Sequence, residues 1–148
     1  MNDTLPMNER YSAHLSRYFE TYKKSLENPD EFWNEHASII DWFSPYTKVL
    51  DDSKKPFYRW FINGKTNMSY NCLDRYANNE KRNKVAFIWV PEKGEEKVVT
   101  YYGLYRRVNA FAKALLNLGI KKGDGVTIYL PMILEAPIAM LACTRIWS

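Results

Sequence analysis

The stretch that most constrains the fold of this 148-residue chain is a long apolar run close to its C-terminus. Residues 126–148 read VTIYLPMILEAPIAMLACTRIWS and contain only two charged side chains, Glu135 and Arg145. A membrane-spanning helix needs about 20 continuous residues, whereas Pro131 and Pro137 interrupt this run. An unpartnered glutamate would also be costly in lipid. We therefore interpret the run as buried core, and we predict no membrane association.

The composition of the run divides it into a strand and a helix. Residues 126–130 are β-branched and aromatic, which is typical of a central parallel strand. A turn containing Pro131 follows. Pro137 fits the first turn of a helix, where its missing N–H group costs no hydrogen bond. The sequence thus predicts a strand over 126–130 and a buried helix over 135–146.

The region before the run has the pattern of an α/β unit. Residues 85–90 (VAFIWV) predict a buried strand, and residues 97–100 (KVVT) predict a short second one. Apolar residues then recur at helical spacing over 101–118, and Gly119 suits the left-handed position that ends a helix. The predicted buried face of that helix consists of Leu104, Val108, Phe111, Leu115 and Leu118. Strand, helix and strand in this order predict a parallel crossover and the α/β class.

The N-terminal part is predicted to be helical and irregular. One helix is expected over 13–26. A second begins at Asn28, with Pro29 at its first position and Glu31 placed to complete a capping box. Its predicted apolar face consists of Phe32, Trp33, His36, Ile39 and Ile40.

Two further elements are expected between the N-terminal helices and the α/β unit. PFYRWFINGKTN alternates and contains Asn63-Gly64, which predicts a hairpin or a bent strand. A short helix is then expected over 69–76. Its inward-facing residues are predicted to be Cys72, Leu73 and Tyr76.

Charge and cysteine content exclude several classes of protein. The net charge is +4, and the only tight basic group is Lys81, Arg82 and Lys84, which we interpret as a solvated loop. No nucleic-acid partner is predicted. The two cysteines lack the spacing of a disulfide framework or a zinc site. Two free thiols and the absence of an N-terminal secretory signal favour the cytoplasm, or an organelle matrix.

No reaction centre is visible in the residues themselves. Only Gly123 and Gly125 are closely spaced glycines, and they precede a strand instead of the helix that a phosphate loop requires. His14 and His36 lie on predicted amphipathic helices, no serine has a nucleophile-elbow context, and the paired carboxylates lie in caps or turns. We therefore predict no catalytic, cofactor-binding or metal-binding residue within this chain.

Several longer stretches nevertheless resemble a known family. SLENPDEFWNEHASIIDWFSPYTKVL, GKTNMSYNCLDRYA and GIKKGDGVTIYLPMILEAPIAMLACTRI resemble, in this order, the N-terminal part of AMP-forming short-chain acyl-CoA synthetases. This is the acetate–CoA and propionate–CoA ligase group of the adenylate-forming superfamily. PFYRWFINGKTN is more similar to the propionate-type members. VVTYYGLYRRV resembles the superfamily's early T/S-Y-x-E-L motif, with Gly103 where the family has glutamate.

The resemblance implies a division of the chain. Residues 1–80 would form the structural N-terminal extension, and residues 81–148 would open the adenylation domain. In the complete family enzyme, ATP, Mg²⁺ and CoA convert an acid to acyl-CoA, AMP and pyrophosphate. The phosphate loop, acyl pocket and lid lysine belong to later segments, and no residue here matches them. The family continues after ACTRI, whereas Trp147-Ser148 ends this chain. We therefore expect a truncated or split member, inactive alone.

Two other interpretations remain open. The chain could be a non-catalytic assembly module that pairs with a separately encoded synthetase remainder or with a full-length homologue. Strands without pairing partners, such as VAFIWV and VTIYL, would favour such association. It could also be an independent small enzyme, although no constellation of reactive residues supports that reading.

Overall fold

A computed structural model describes residues 7–147 of the chain, with side chains from residue 14 onward. The chain forms two compact units. The first contains the residues up to Ile40 together with Tyr46–Asn63, and the second contains Asp41–Pro45 together with the residues from Gly64 onward. Helices and small sheets are mixed, and the predicted α/β class is confirmed.

Two helices open the first unit. Helix α1 spans Met7–Glu27, so it begins earlier than the predicted residue 13, and α2 spans Pro29–Ala37. Asn28 occupies the N-cap of α2 as predicted, but its side chain makes no capping hydrogen bond. Glu31 instead lies 3.9 Å from the Lys24 ammonium group of α1, so the predicted capping box is not formed.

The predicted apolar face of α2 is only partly buried. Phe32 is buried, whereas Trp33 is exposed and packs edge-on against Trp60 with ring centroids 5.9 Å apart. Ile39 and Ile40 lie beyond the end of the helix and are exposed. The prediction failed at these two positions because the helix ends before them, so its periodicity no longer applies.

A two-stranded antiparallel sheet completes the first unit. Strand β1 (Lys48–Asp51) pairs with β2 (Arg59–Ile62), and the connection between them contains the cis Lys55–Pro56 bond. The chain therefore reverses between residues 51 and 59. Of the two alternatives predicted for PFYRWFINGKTN, the hairpin at Asn63-Gly64 is wrong, whereas a strand, β2, does form within this stretch. Asn63 has a φ of +63°, which asparagine tolerates better than most residues, at the point where the chain leaves β2.

Two helices form the core of the second unit. Helix α4 spans Tyr101–Asn117 and α5 spans Glu135–Ile146, which confirms both predicted helices. Thr100 caps α4 by accepting a hydrogen bond from Gly103 N–H at 3.1 Å. The buried cluster consists of Leu73, Val99, Leu104, Val108, Ala112, Leu115, Leu134, Ile138 and Ala142. Of the predicted face of α4, Phe111 and Leu118 are exposed.

The C-terminus of α4 ends as the sequence predicts. Gly119 has a φ of +86° and donates its N–H to Leu116 at 3.0 Å, while Ile120 donates to Leu115 at 3.1 Å. These two bonds form a Schellman motif, which satisfies carbonyl groups that the last turn leaves free. Ile120 is then placed against the buried cluster.

The strands of the second unit do not form the predicted parallel crossover. Strand β3 (Val85–Trp89) pairs antiparallel with β4 (Lys97–Thr100), with an irregularity between Val85 and Phe87. Residues 126–130 belong to neither a helix nor a strand, because no other segment among residues 7–147 pairs with them. The strand predicted there is therefore not formed, although Val126 is half-buried.

The predicted short helix consists of two pieces. A π-helical turn covers Tyr70–Asp74 and continues into α3, Arg75–Ala77. Leu73 is fully buried, Tyr76 is half-buried, and Cys72 is exposed, contrary to the prediction for the cysteine. A π-helical turn changes the angular spacing of successive side chains, so an α-helical wheel misplaces them. None of the helices described over residues 7–147 has the length and apolar character that a membrane span requires.

Candidate functional site

The structure places the two histidines singled out in the sequence in different surroundings. His36 Nδ1 lies 2.8 Å from the Phe32 carbonyl, and its ring packs on the Phe32 ring at 4.1 Å, which is a structural arrangement. His14 is exposed. Across the described part of the chain, no group of three or more His, Cys, Asp or Glu side chains could hold a metal ion.

The Gly123–Gly125 segment is a turn. Gly123 has a φ of +100°, and Asp124 accepts a hydrogen bond from Lys121 N–H at 2.7 Å while returning its own N–H to the Lys121 carbonyl at 3.1 Å. The turn therefore uses its own polar groups internally. It matches the sequence interpretation of this segment as a connection.

A cleft of the second unit lies beside α4 and the N-terminal end of α5. It has a volume of about 690 Å³. Its walls include Trp89, Lys97, Arg107, Phe111, Ile133 and Glu135. Trp89 is fixed there because its indole N–H donates to the Met132 carbonyl at 2.8 Å. Lys97 Nζ lies 5.2 Å from the centroid of the same indole, within the range of a cation–π contact.

The cleft is lined by both charged and apolar side chains. Its charged lining residues are Lys97, Arg107 and Glu135, and the others are apolar. Such a lining suits a small anion with an apolar body. It contains no serine, cysteine or histidine that could serve as a nucleophile or base. Sequence reasoning missed the cleft because its residues come from four separate segments that no local motif connects.

A second set of polar contacts joins distant segments inside the second unit. Asn67 is buried, donates from Nδ2 to the Thr144 carbonyl at 2.8 Å, and accepts from Tyr70 N–H at 3.0 Å. Arg145 donates to the carboxylate of Asp74. The Arg145 guanidinium also lies 5.3 Å from the centroid of the Tyr105 ring. These contacts attach α5 to the segment that precedes β3.

The chain matches two family models that adjoin each other. The model described as acetyl-coenzyme A synthetase N-terminus matches residues 18–72, and the model described as AMP-binding enzyme matches residues 73–146. The solved structure of acetoacetyl-CoA synthetase from Streptomyces lividans is similar with a TM-score of 0.78 and 31% identity. That similarity covers 84% of this chain and 19% of the synthetase.

Similarity to several individual synthetases agrees with these matches. Acetyl-coenzyme A synthetase from Methanothrix soehngenii is 52% identical over 78% of this chain and 18% of its own length. The enzyme of the same name from Leptospira biflexa is 50% identical over 89% of this chain and 20% of its own length. A 3-hydroxypropionyl-coenzyme A synthetase from Sulfurisphaera tokodaii is 44% identical over 95% of this chain and 21% of its own length. The chain thus spans about a fifth of the length of these relatives. It belongs to the AMP-binding enzyme family and corresponds to the N-terminal part of an adenylate-forming acyl-CoA synthetase.

Proposed function

We propose that this chain supplies scaffold to a short-chain acyl-CoA synthetase of the acetate or propionate type. In the proposed reaction, the carboxylate of the acid attacks the α-phosphate of ATP, which forms an acyl-adenylate and releases pyrophosphate. The CoA thiol then attacks the acyl carbon and displaces AMP. The names of the relatives support acetyl-CoA synthetase as the first choice, and the similarity of PFYRWFINGKTN supports a propionate-type alternative.

The observation that carries the scaffold role is the contact between Asn67 and Thr144. Asn67 lies within the segment that resembles the synthetase N-terminus, and Thr144 lies within the segment that resembles the AMP-binding enzyme. Their hydrogen bond of 2.8 Å is partly buried, and an unsatisfied amide or carbonyl in a fully buried position would cost about 1–3 kcal/mol. The end of the N-terminal segment therefore stabilises the packing of α5.

Our proposal assigns no ATP, Mg²⁺ or CoA site to this chain. Among the described residues, no three or more His, Cys, Asp or Glu side chains group together, and the two closely spaced glycines do not directly precede a helix. In our proposal, ATP and CoA are bound by other parts of the synthetase. We retain residues 1–80 as the extension and residues 81–148 as the opening of the adenylation domain. We also propose a reducing compartment, the cytoplasm or an organelle matrix, which suits the free thiols of Cys72 and Cys143.

Acid-dependent ATP–pyrophosphate exchange tests this proposal. The purified 148-residue chain, shown to be folded by circular dichroism, is assayed with acetate and with propionate in the presence of ATP and Mg²⁺. The full-length Leptospira biflexa relative serves as the positive control. We expect exchange by the control and none by the chain. Acid-dependent exchange by the chain alone would overturn the scaffold proposal.

A second candidate function is that of an assembly module. It is favoured by large apolar side chains that are exposed to solvent. Tyr129 is 98% exposed and Met132 is 92% exposed. We expect these side chains to be covered when the chain pairs with a synthetase remainder. The test mixes the chain with the Leptospira biflexa enzyme lacking the region that the chain matches. Exchange that appears only in the mixture supports the module. No exchange, even after the two polypeptides have been refolded together, counts against it.

A further inference from the structure

Asn63 is directly followed by Gly64, and the sequence holds no second Asn-Gly pair. Asparagine is among the thermolabile residues of proteins. It loses its side-chain amide most readily before glycine, because glycine has no Cβ to keep the following main-chain nitrogen away from the asparagine Cγ atom. The Asn63 side chain is exposed, so water reaches it. The pair therefore has the composition and the exposure of a spontaneous modification site.

The structure restrains this pair through a side-chain contact inside the first unit. Asn63 Nδ2 donates to Thr47 Oγ1 at 3.2 Å, and Thr47 Oγ1 in turn donates to the Ile62 carbonyl at 3.2 Å. The contact holds the carboxamide of Asn63 in one orientation, whereas attack by the Gly64 nitrogen requires Cγ to turn toward that nitrogen. The hydrogen bond is exposed to solvent, and breaking such a bond slows a reaction by no more than about tenfold. The restraint is therefore real but modest.

We propose that Asn63 is a site of spontaneous deamidation, which the Thr47 hydroxyl slows. The Gly64 nitrogen attacks Asn63 Cγ, so a bond forms between these two atoms and the bond from Cγ to Nδ2 breaks. Nδ2 leaves as ammonia with the proton that the Gly64 nitrogen gives up, and a cyclic imide remains. Water then opens the ring. Addition of water at Cγ leaves aspartate, and addition at the former peptide carbonyl of residue 63 leaves isoaspartate, whose main chain runs through the side-chain carbons.

Both products change the chain at the end of strand β2. An ionised carboxylate cannot donate a hydrogen bond, so the donation to Thr47 Oγ1 is lost in either product. Isoaspartate also inserts a methylene group into the main chain directly after Ile62, whose carbonyl accepts from Thr47 N–H at 2.9 Å. The bond between Asn63 and Gly64 is where the chain passes from the first unit to the second. The reaction thus adds a negative charge to this covalent connection, and in isoaspartate it also lengthens it. The inference does not depend on the proposed scaffold function.

Peptide mass spectrometry of the full chain tests the proposal. The folded chain is incubated at body temperature in mildly alkaline buffer, and the conversion of each asparagine to the acid is followed over time. We expect Asn63 to convert several times faster than Asn117, an exposed asparagine that precedes leucine. Thr47→Val removes the hydroxyl at nearly constant shape, and it should raise the rate at Asn63 by about threefold to tenfold. The rate at Asn117 should not change. Circular dichroism checks that the variant is folded.

The same measurement in urea separates the effect of the fold from that of the local sequence. The contact between Asn63 and Thr47 exists only in the folded chain, so the unfolded wild type should convert Asn63 faster than the folded wild type does. Unfolded wild type and unfolded Thr47→Val should convert it at equal rates. Gly64→Ala is the chemical control. Its added Cβ hinders the attacking nitrogen, so conversion at Asn63 should fall below the wild-type rate in the unfolded chain as well.

Three results would overturn the inference. The first is conversion of Asn63 in the folded wild type that is no faster than conversion of Asn117, which would mean that the site does not react in the native chain. The second is equal conversion of Asn63 in folded wild type and in folded Thr47→Val, since the hydroxyl would then restrain nothing. The third is an equal acceleration by Thr47→Val in urea and in the folded chain, which would assign the effect to the local sequence.

Discussion

The guanidinium of Arg145 donates to the carboxylate of Asp74, and this ion pair links residues that lie 71 positions apart in the chain. Both side chains are largely buried, with 23% of Arg145 and 13% of Asp74 exposed. The contact attaches the last turn of α5 to the π-helical turn. Because hydrogen bonds to charged groups are stronger when they are shielded from water, it is a principal tether between these elements.

Arg145→Ala should lower the free energy of unfolding by about 1.5–3 kcal/mol, since it leaves the Asp74 carboxylate without this donor. Arg107→Ala, on the exposed face of α4, is the control and should change stability by less than about 0.5 kcal/mol. Urea unfolding followed by tryptophan fluorescence measures both. Equal losses for the two variants would show that the ion pair contributes nothing.

Gly103→Glu should stabilise the start of α4. Gly103 is the third residue of the helix, and its N–H already donates to Thr100 Oγ1. Replacing this helical glycine with glutamate should raise the free energy of unfolding by up to about 1 kcal/mol. The glutamate side chain can also complete a capping box. A Cβ at this position would lie 3.3 Å from Thr100 Oγ1, so part of the gain is offset by a close contact. Gly103→Ala makes the same contact without the carboxylate, and thermal unfolding should rank glutamate above alanine. The reverse order would rule out the capping box.

Leu73→Ala should destabilise the second unit strongly. The Leu73 side chain is fully buried in the central apolar cluster, and truncating such a leucine costs about 2–5 kcal/mol. Leu118→Ala makes the same chemical change at a side chain that is 80% exposed, and should cost less than about 0.5 kcal/mol. The two variants are compared by the midpoint of urea unfolding. A similar midpoint for both would contradict the assigned core.

The stability of the first unit should depend on pH through Asp51. Hydrogen bonds from Arg59 Nη2 at 2.5 Å and from Ser53 hold the pKa of the Asp51 carboxyl below its usual range. A carboxyl whose pKa is lowered by folding stabilises the fold fully above its unfolded pKa of about 3.9. That stabilisation is lost as the pH falls through the lower folded pKa.

Asp51→Asn should therefore lower the free energy of unfolding near neutral pH. Below about pH 4, the free energy of unfolding of the variant should fall less steeply with pH than that of the wild type. The free energy of unfolding is measured in urea from pH 7 to pH 2 for both this variant and Asp52→Asn. The Asp52 carboxylate is more exposed than that of Asp51 and pairs with Lys55 at 2.9 Å. The Asp51 carboxyl can also be followed by NMR titration. A titration at or above the unfolded pKa would contradict the assignment.

The sequence predicted the helices well where their signals are local. Helix α5 has the predicted bounds, and α4 ends one residue before the predicted end, because apolar spacing, a proline in the first turn and a terminal glycine act within a few residues. Gly119 has the left-handed conformation expected of it.

Features that depend on distant segments were predicted poorly. Residues 126–130 have the composition of a strand, but a strand exists only when another one pairs with it. The Asn63-Gly64 dipeptide favours a turn but does not decide which strands that turn connects. The cleft at Trp89 and the bond between Asn67 and Thr144 also join residues far apart in sequence, so no local pattern could reveal them.

The short bridge between Ser44 and Lys65 brings together the two ends of the segment that separates the parts of the second unit, and we expect this unit to fold without that segment. Ser44 C=O accepts from Lys65 N–H at 2.9 Å, which is the bond that closes a β-turn. Removing residues 46–63 joins Pro45 directly to Gly64, and Ser-Pro-Gly-Lys has proline and glycine at the two central positions that a type II turn prefers. A minimal polypeptide starting at Asp41 and carrying this splice should retain the helical circular dichroism of α4 and α5.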